Sequence, residues 1–238
     1  AKWVRTPNFD RVAAEGVLFT NAFTSNPKCS PCRATILTGR NSWQLKEAVN
    51  HYSVFPNEFP VYPALLEQAG YFTGLTGKGW GPGDFRSTGW KHNPAGPSFD
   101  KFRAKPPYTG IGQNDYARNF EDFLSQKPAN QPFCFWLGTN EPHRAYEQGS
   151  GLRAGRDPAA VVLPKYYPDH PVVLKNQQAA GPCGVQHFRR IGGAGVGFGD
   201  HVVALHHLAH RGFRRRAEKR QLCDKPHHVL VGLHHRQR

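Results

Sequence analysis

Hydrophobic and polar residues alternate along most of the chain in short segments with the period of a helix or a strand. Residues 6–16 begin with Thr-Pro, carry apolar side chains at helical spacing and close on a glycine, which is typical of a short helix. The same patterns predict further helices at 30–38, 63–69 and 115–126, strands at 17–23, 71–76 and 133–137, and an irregular segment at 79–114. Helices and strands in this order predict an α/β layered fold.

The pattern ends after Leu174, and the charge changes at the same place. Residues 1–174 hold 19 Lys and Arg against 14 Asp and Glu, whereas residues 175–238 hold 12 against 3 and include 9 of the 13 His. Most of the formal net charge of +14 therefore belongs to the shorter segment. We predict a globular domain at 1–174 and a basic His/Arg/Gly-rich tail at 175–238. A shifted reading frame, a disordered segment or a genuine basic tail would each explain that composition.

Several classes of protein are excluded by composition. No apolar run approaches the ~20 residues of a membrane-spanning helix, and because no charged segment followed by an apolar one stands at the start of the sequence, we expect no signal peptide among these residues. Five Cys are too few for a fold built on disulfides. The chain has no Met and begins at Ala1, so we expect a piece of a longer protein.

The segment with the most chemical information is CSPCRATILTGR, residues 29–40. Cys29 lies just before a predicted helix start, where unpaired N–H groups and the helix dipole favour an anion. Arg33 falls in the first helical turn and its guanidinium can reach the same anion. The sequence therefore predicts a site for a tetrahedral oxyanion such as sulfate or phosphate.

This segment resembles the sulfatase signature, Cys-x-Pro-x-Arg followed by Leu-Thr-Gly, and residues 6–23 resemble the stretch before it. The resemblance implies an alkaline-phosphatase-like α/β fold with a central sheet flanked by helices. It also implies that Cys29 is converted to formylglycine, whose aldehyde hydrate attacks sulfur, and that Arg33 steadies the hydrate beside a calcium ion. Cys32 stands where the family usually has Ser.

Two further segments carry the resemblance. Lys78 matches the family's Gly-Lys-x-His stretch, whose Lys and His contact the sulfate, but Trp80 occupies the His position. Residues 141–144, Glu-Pro-His-Arg, resemble the family's Pro-His segment, so His143 would touch the sulfate or protonate the leaving group, and Arg144 would bind substrate. The heparan N-sulfatase (sulfamidase) branch has Asp-Pro-His-Arg there, which makes its members the closest relatives that the resemblance suggests.

The resemblance also implies cofactors, partners and a location. Calcium would bind Cys29 as formylglycine, but the family's other metal ligands match nothing in this chain, so we expect the chain to be inactive alone. A sulfated small molecule or glycan would be the substrate, and a formylglycine-generating enzyme would be a partner. Nucleic acid is not expected as a partner, and an exported location is suggested.

Two alternatives remain at this point. Cys29 and Cys32 form a Cys-x-x-Cys pair, which indicates a thiol redox site or half of a zinc site. The tail indicates a basic module that binds nucleic acid or a polyanionic glycan. Deletion of residues 175–238 distinguishes the second alternative, because a binding module loses its polyanion affinity while a sulfatase domain keeps its cleft.

Overall fold

The computed structural model describes residues 22–141, 143, 147–155 and 157–160, isolated positions between 11 and 18 and between 168 and 171, and the backbone of 203–206. The helices with defined bounds are α1 (Cys29–Thr38), α2 (Tyr62–Gln68), α3 (Tyr116–Gln126) and α4 (Ser150–Arg153). The strands are β1 (Ser53–Val54), β2 (Phe72–Gly77), β3 (Gly83–Asp84), β4 (Phe133–Gly138) and β5 (Val203–His206). Short 3-10 helices lie at Ser42–Gln44, Lys46–Val49 and Pro158–Ala160.

The main sheet has the order β2-β4-β5. β2 and β4 are parallel, in a register that runs from Phe72 beside Phe133 to Gly77 beside Gly138. β5 lies antiparallel to β4. β1 and β3 form a separate parallel pair. The apolar run of β4 is buried, as expected for a strand of a parallel sheet that is covered by helices.

The core of the described residues has two clusters of apolar side chains. The first joins α1 to the strands and their loops through Ala34, Leu37, Leu45, Ala48, Phe55, Phe59, Val61, Leu75, Trp80, Ala95 and Trp136. The second joins α3 to β4 through Phe120, Phe123 and Phe135, with Phe72, Phe99 and Phe133 around them. α1 thus packs against the sheet and its loops through the apolar side chains of Ala34 and Leu37.

α1 begins one residue before the predicted start. The N-cap residue is Lys28, and Ser30 lies inside the first turn, where its hydroxyl donates to the carbonyl oxygen of Pro82. A serine directly before a proline is typical of a helix N-cap, but the Ser30 hydroxyl bonds a distant loop instead and does not cap α1. Gly39 ends the helix in the left-handed conformation (φ 67°), as predicted.

The other predicted elements are found within a residue or two where the structure describes them. The two short strands and two of the 3-10 helices at 42–54 and 83–84 were not predicted, and neither was β5 inside the proposed tail. The predicted strand at 17–23 and most of the helix at 6–16 lie outside the described residues, and the boundary at 174 stays a prediction. In the part of the chain that the structure describes, no helix is long and apolar enough to cross a bilayer.

Candidate active site

The candidate site lies where the carboxyl ends of the parallel strands β2 and β4 meet. The backbone N–H of Lys78, just after β2, donates to the Gly138 carbonyl at 2.6 Å. Gly77 has φ 75°, and a Cβ on Gly77 or Gly138 would overlap the backbone of the other strand end. Because neither residue has a side chain, the two strand ends approach closely enough to present Lys78 at the edge of the sheet.

Arg33 joins α1 to this edge. Its guanidinium donates to the carbonyl oxygens of Lys78 (2.5 Å) and Gly79 (3.0 Å), and the indole N–H of Trp136 donates to the same Lys78 oxygen at 3.0 Å. Burial lowers the pKa of Arg33 to about 10, and the neighbouring Cys29 partly opposes that shift. Arg33 therefore stays protonated at neutral pH and holds the backbone of Lys78 in place.

Lys78 and Cys29 are brought together by this arrangement. The ammonium Nζ of Lys78 donates to the Sγ of Cys29 at 3.1 Å. Cys29 is the first residue of α1 and is half-buried, so its sulfur lies beside a lysine ammonium at the helix end where backbone N–H groups have no partner within the helix. Such a point favours a bound oxyanion.

A histidine that the sequence did not indicate also belongs to this region. Burial lowers the pKa of His51, and the positive charges of Lys28, Lys78 and His143 lower it further. His51 therefore lies within electrostatic range of Lys78, the residue that contacts Cys29. Lys28 could have been found from its position beside Cys29, whereas no spacing in the sequence links His51 to the motif.

His143 is carried by a loop that follows β4. The buried carboxylate of Glu141 accepts from the hydroxyl of Tyr116 (3.0 Å) and from the N–H of Gly112 (2.6 Å), and the His143 N–H donates to the Asn140 carbonyl (2.9 Å). Burial and the charge of Glu141 raise the pKa of Tyr116 well above its usual range. His143 is exposed at the end of this anchored loop, and Arg144 lies outside the described residues.

Trp80 is a core residue and not a replacement for the family's sulfate-contacting His. Its side chain is 3% exposed and packs edge-on against Phe55, with ring centroids 5.1 Å apart. The match to Gly-Lys-x-His therefore covers Gly77 and Lys78 and ends before Trp80, and Lys78 is the residue that contacts Cys29.

The cysteines and carboxylates of the described residues do not form a metal site. Cys29, Cys32 and Cys134 are free thiols, and burial raises the pKa of Cys32 and, to about 12, that of Cys134. No group of three or more His, Cys, Asp or Glu side chains close enough to hold a metal occurs in the described ranges. These residues therefore fit neither zinc nor calcium by themselves.

A cysteine at a helix start and a lysine at the end of a parallel strand thus meet in front of an α/β sheet, an arrangement that favours a bound oxyanion. The Sulfatase family matches residues 1–171, and the chain belongs to the sulfatase family.

Curated relatives agree with this assignment. The chain is 32% identical over 154 residues to an N-acetylglucosamine-6-O-sulfatase of Bacteroides thetaiotaomicron, which covers 59% of this chain and 27% of that protein. It is 41% identical over 85 residues to the N-acetylgalactosamine-6-sulfatase of Homo sapiens (31% and 16%), and 33% identical over 109 residues to human iduronate 2-sulfatase (42% and 20%). The chain thus spans less than a third of the length of these relatives, and the alternative of a basic binding module gains no support from them.

A solved structure gives the same fold. A protein from the metabolism of multiple glycosaminoglycans by Bacteroides thetaiotaomicron matches with a TM-score of 0.52 and 18% identity, covering 79% of this chain and 50% of that one. The predicted alkaline-phosphatase-like α/β class is confirmed, and the described residues form a small sheet flanked by helices.

Proposed function

We propose that this chain is part of a sulfatase that hydrolyses a sulfate ester or a sulfamate, with Cys29 as the precursor of its nucleophile. The observation that carries the proposal is the 3.1 Å contact between the Lys78 ammonium and the Cys29 sulfur at the start of α1. The family assignment supports it, because the Cys29 motif is the most specific part of the resemblance to sulfatases.

The residues around Cys29 supply positive charge where the reaction develops negative charge. Lys78 would donate to the oxygens of the sulfuryl group, and the first-turn N–H groups of α1 would add to that field. Arg33 would act mainly by fixing Lys78, and a direct contact with substrate stays a prediction. His143, exposed on its anchored loop, would bind the sulfate or give a proton to the leaving group, and Arg144 would bind substrate.

Formylglycine at position 29 would supply an aldehyde whose hydrate offers a hydroxyl to sulfur. The site fits this modification, since Cys29 is half-buried, is not in a disulfide and lies beside a lysine. A formylglycine-generating enzyme is therefore a proposed partner. Because the described residues do not fit calcium, no step is assigned to that ion.

The substrate that we propose is a sulfated sugar. The relatives are named as sulfatases of N-acetylglucosamine, N-acetylgalactosamine and iduronate, all of which are sugars. None of these relatives is named as a sulfamidase, so the resemblance to the sulfamidase branch stays a prediction. An exported location, which would place the protein near extracellular glycans, is proposed on the resemblance alone.

Mass spectrometry of the tryptic peptide 29–33 tests the proposal. The chain would be expressed with and without a formylglycine-generating enzyme, and we expect Cys29 to exchange its CH2–SH for CHO only when the enzyme is present. Cys32 lies in the same peptide and should remain a thiol, which makes it an internal control. An unmodified Cys29 in the presence of the active enzyme would contradict the proposal.

A further inference from the structure

We propose that the Tyr52 ring is the platform on which the sugar of the sulfated substrate stacks, with His51 between that platform and Cys29. This inference rests on the proposed function and names the wall of the site that recognises the group carrying the sulfate.

Tyr52 is exposed and strained at the same time. Its side chain is 77% exposed, and its backbone has φ 59°, a left-handed conformation that is costly for a residue with a Cβ. Non-glycine residues held in this region cluster at ligand sites. The burial of hydrophobic surface does not explain a large, exposed ring at such a position.

Two sets of hydrogen bonds, one on each side of residues 51 and 52 in the sequence, place these residues beside the start of α1. Asn26 donates to the Val49 carbonyl at 3.0 Å and accepts from the Lys28 N–H at 3.3 Å, which joins the end of a 3-10 helix to the residue before Cys29. From the other side, the Ser30 hydroxyl donates to the Pro82 carbonyl. The next residue, Gly83, lies opposite Ser53 in the β1–β3 pair.

His51 connects Tyr52 to the groups near Cys29. It lies within electrostatic range of Lys28, Lys78 and His143, and Lys78 in turn contacts the Cys29 sulfur at 3.1 Å. The Tyr52 ring lies edge-on to His51, with centroids 4.5 Å apart. A sulfate held at Cys29 and Lys78 would therefore extend its sugar past His51 onto Tyr52.

The chemistry of a tyrosine suits this role. An aromatic face packs against the C–H groups of a sugar ring, while the phenolic hydroxyl can bond to sugar hydroxyls. The sulfate would be bound by the cationic groups and the sugar by the ring. Affinity for inorganic sulfate and affinity for a sulfated sugar should consequently respond differently to changes at position 52.

The test compares the binding of inorganic sulfate and of glucosamine 6-sulfate to the full chain by calorimetry. We expect Tyr52→Gly to weaken glucosamine 6-sulfate about two- to tenfold, leave inorganic sulfate unchanged and raise the denaturation midpoint, because glycine relieves the left-handed strain. Tyr52→Phe, which keeps the ring, should retain most of the affinity for the sugar. Trp43→Ala removes another exposed aromatic side chain (69% exposed) and should change neither affinity.

The outcomes separate this inference from the proposed function. If the wild-type chain binds sulfate and Tyr52→Gly binds glucosamine 6-sulfate as tightly as wild type, the platform is overturned and the sulfatase proposal stands. Equal weakening of both ligands by Tyr52→Gly also overturns the platform, since the ring would then serve the sulfate site as a whole. If wild type binds neither ligand, the proposed sulfate site itself is overturned, and the platform falls with it.

Discussion

The ammonium group of Lys78 bonds to a sulfur and, among the described residues, takes part in no ion pair with a carboxylate. Its charge is therefore available to an incoming anion. A hydrogen bond to a charged group contributes about 1.5–3 kcal/mol, so we expect Lys78→Ala to weaken sulfate binding about ten- to hundredfold. Calorimetric titration with sodium sulfate measures this change.

A matched control comes from Lys46, which pairs with Glu58 at 2.6 Å on the surface. Lys46→Ala removes the same charge from the molecule at an exposed pair, where such interactions contribute little. Sulfate affinity should be unchanged in this variant. Equal losses in the two variants would mean that net charge, and not the position of Lys78, governs binding.

The three described thiols should differ in reactivity towards iodoacetamide at pH 8. Cys134 is 2% exposed and its pKa is raised by burial to about 12, so roughly one molecule in ten thousand carries the thiolate. Burial also raises the pKa of Cys32. We expect Cys29 to be alkylated first, and peptide mass spectrometry over time measures the order. In urea the three rates should converge; labelling of Cys134 as fast as Cys29 in the folded chain would contradict the prediction.

At the scale of elements, the site depends on how closely β2 and β4 approach at their ends. Gly77→Ala introduces a Cβ at φ 75° that overlaps the Gly138 carbonyl, whereas Gly70→Ala introduces one at φ 87° with no atom within 4 Å. The left-handed conformation alone costs about 1–2 kcal/mol, and the overlap adds about 1–3 kcal/mol. We expect the midpoint of urea unfolding to fall more for Gly77→Ala.

Sulfate binding provides the second readout for this pair of variants. Movement of the strand ends displaces Lys78, so Gly77→Ala should also lose sulfate affinity, while Gly70→Ala should keep it. If both variants lose only stability, the close approach of β2 and β4 serves the fold and not the site.

Much of this layout could be predicted from local sequence. The pattern of apolar residues located α1, α2, α3, β2 and β4, and a recognisable motif pointed to Cys29. Lys78 was identified by resemblance, but its contact with Cys29 depends on the pairing of β2 with β4 and on Arg33. Such contacts between distant residues leave no periodic signal, which is also why His51 was not found.

The shortest elements could not be predicted for a related reason. β1 and β3 have two residues each, too few to show an alternation. β3 directly follows Pro82, whose carbonyl accepts from the Ser30 hydroxyl, and this contact between distant residues leaves no signal in the local sequence. The same bond makes Ser30 an internal residue of α1, although its side chain is of the type that usually caps a helix.

At the scale of the whole molecule, the site lies within the predicted domain at 1–174. β5 pairs with β4 at Cys134–Leu137, before the strand end that carries the site. We expect deletion of residues 175–238 to leave sulfate affinity unchanged, measured by calorimetry against the full chain, with far-UV circular dichroism as the control for folding. A loss of affinity in a folded truncated chain would show that the basic tail takes part in binding.

The Lys78 carbonyl, which accepts from both Arg33 and Trp136, has a consequence for the order of folding. Its two donors are 45 and 58 residues away in sequence, and its position depends on the pairing of the β2 and β4 ends, where the Lys78 N–H donates to the Gly138 carbonyl. α1 should therefore dock last, and pulsed hydrogen exchange should show β2 and β4 amides protected before those of α1. Until that step Pro31, buried in the folded chain, and Arg33 would be accessible. The proposed formylglycine-generating enzyme would therefore read residues 29–33 during this interval of folding, before α1 docks.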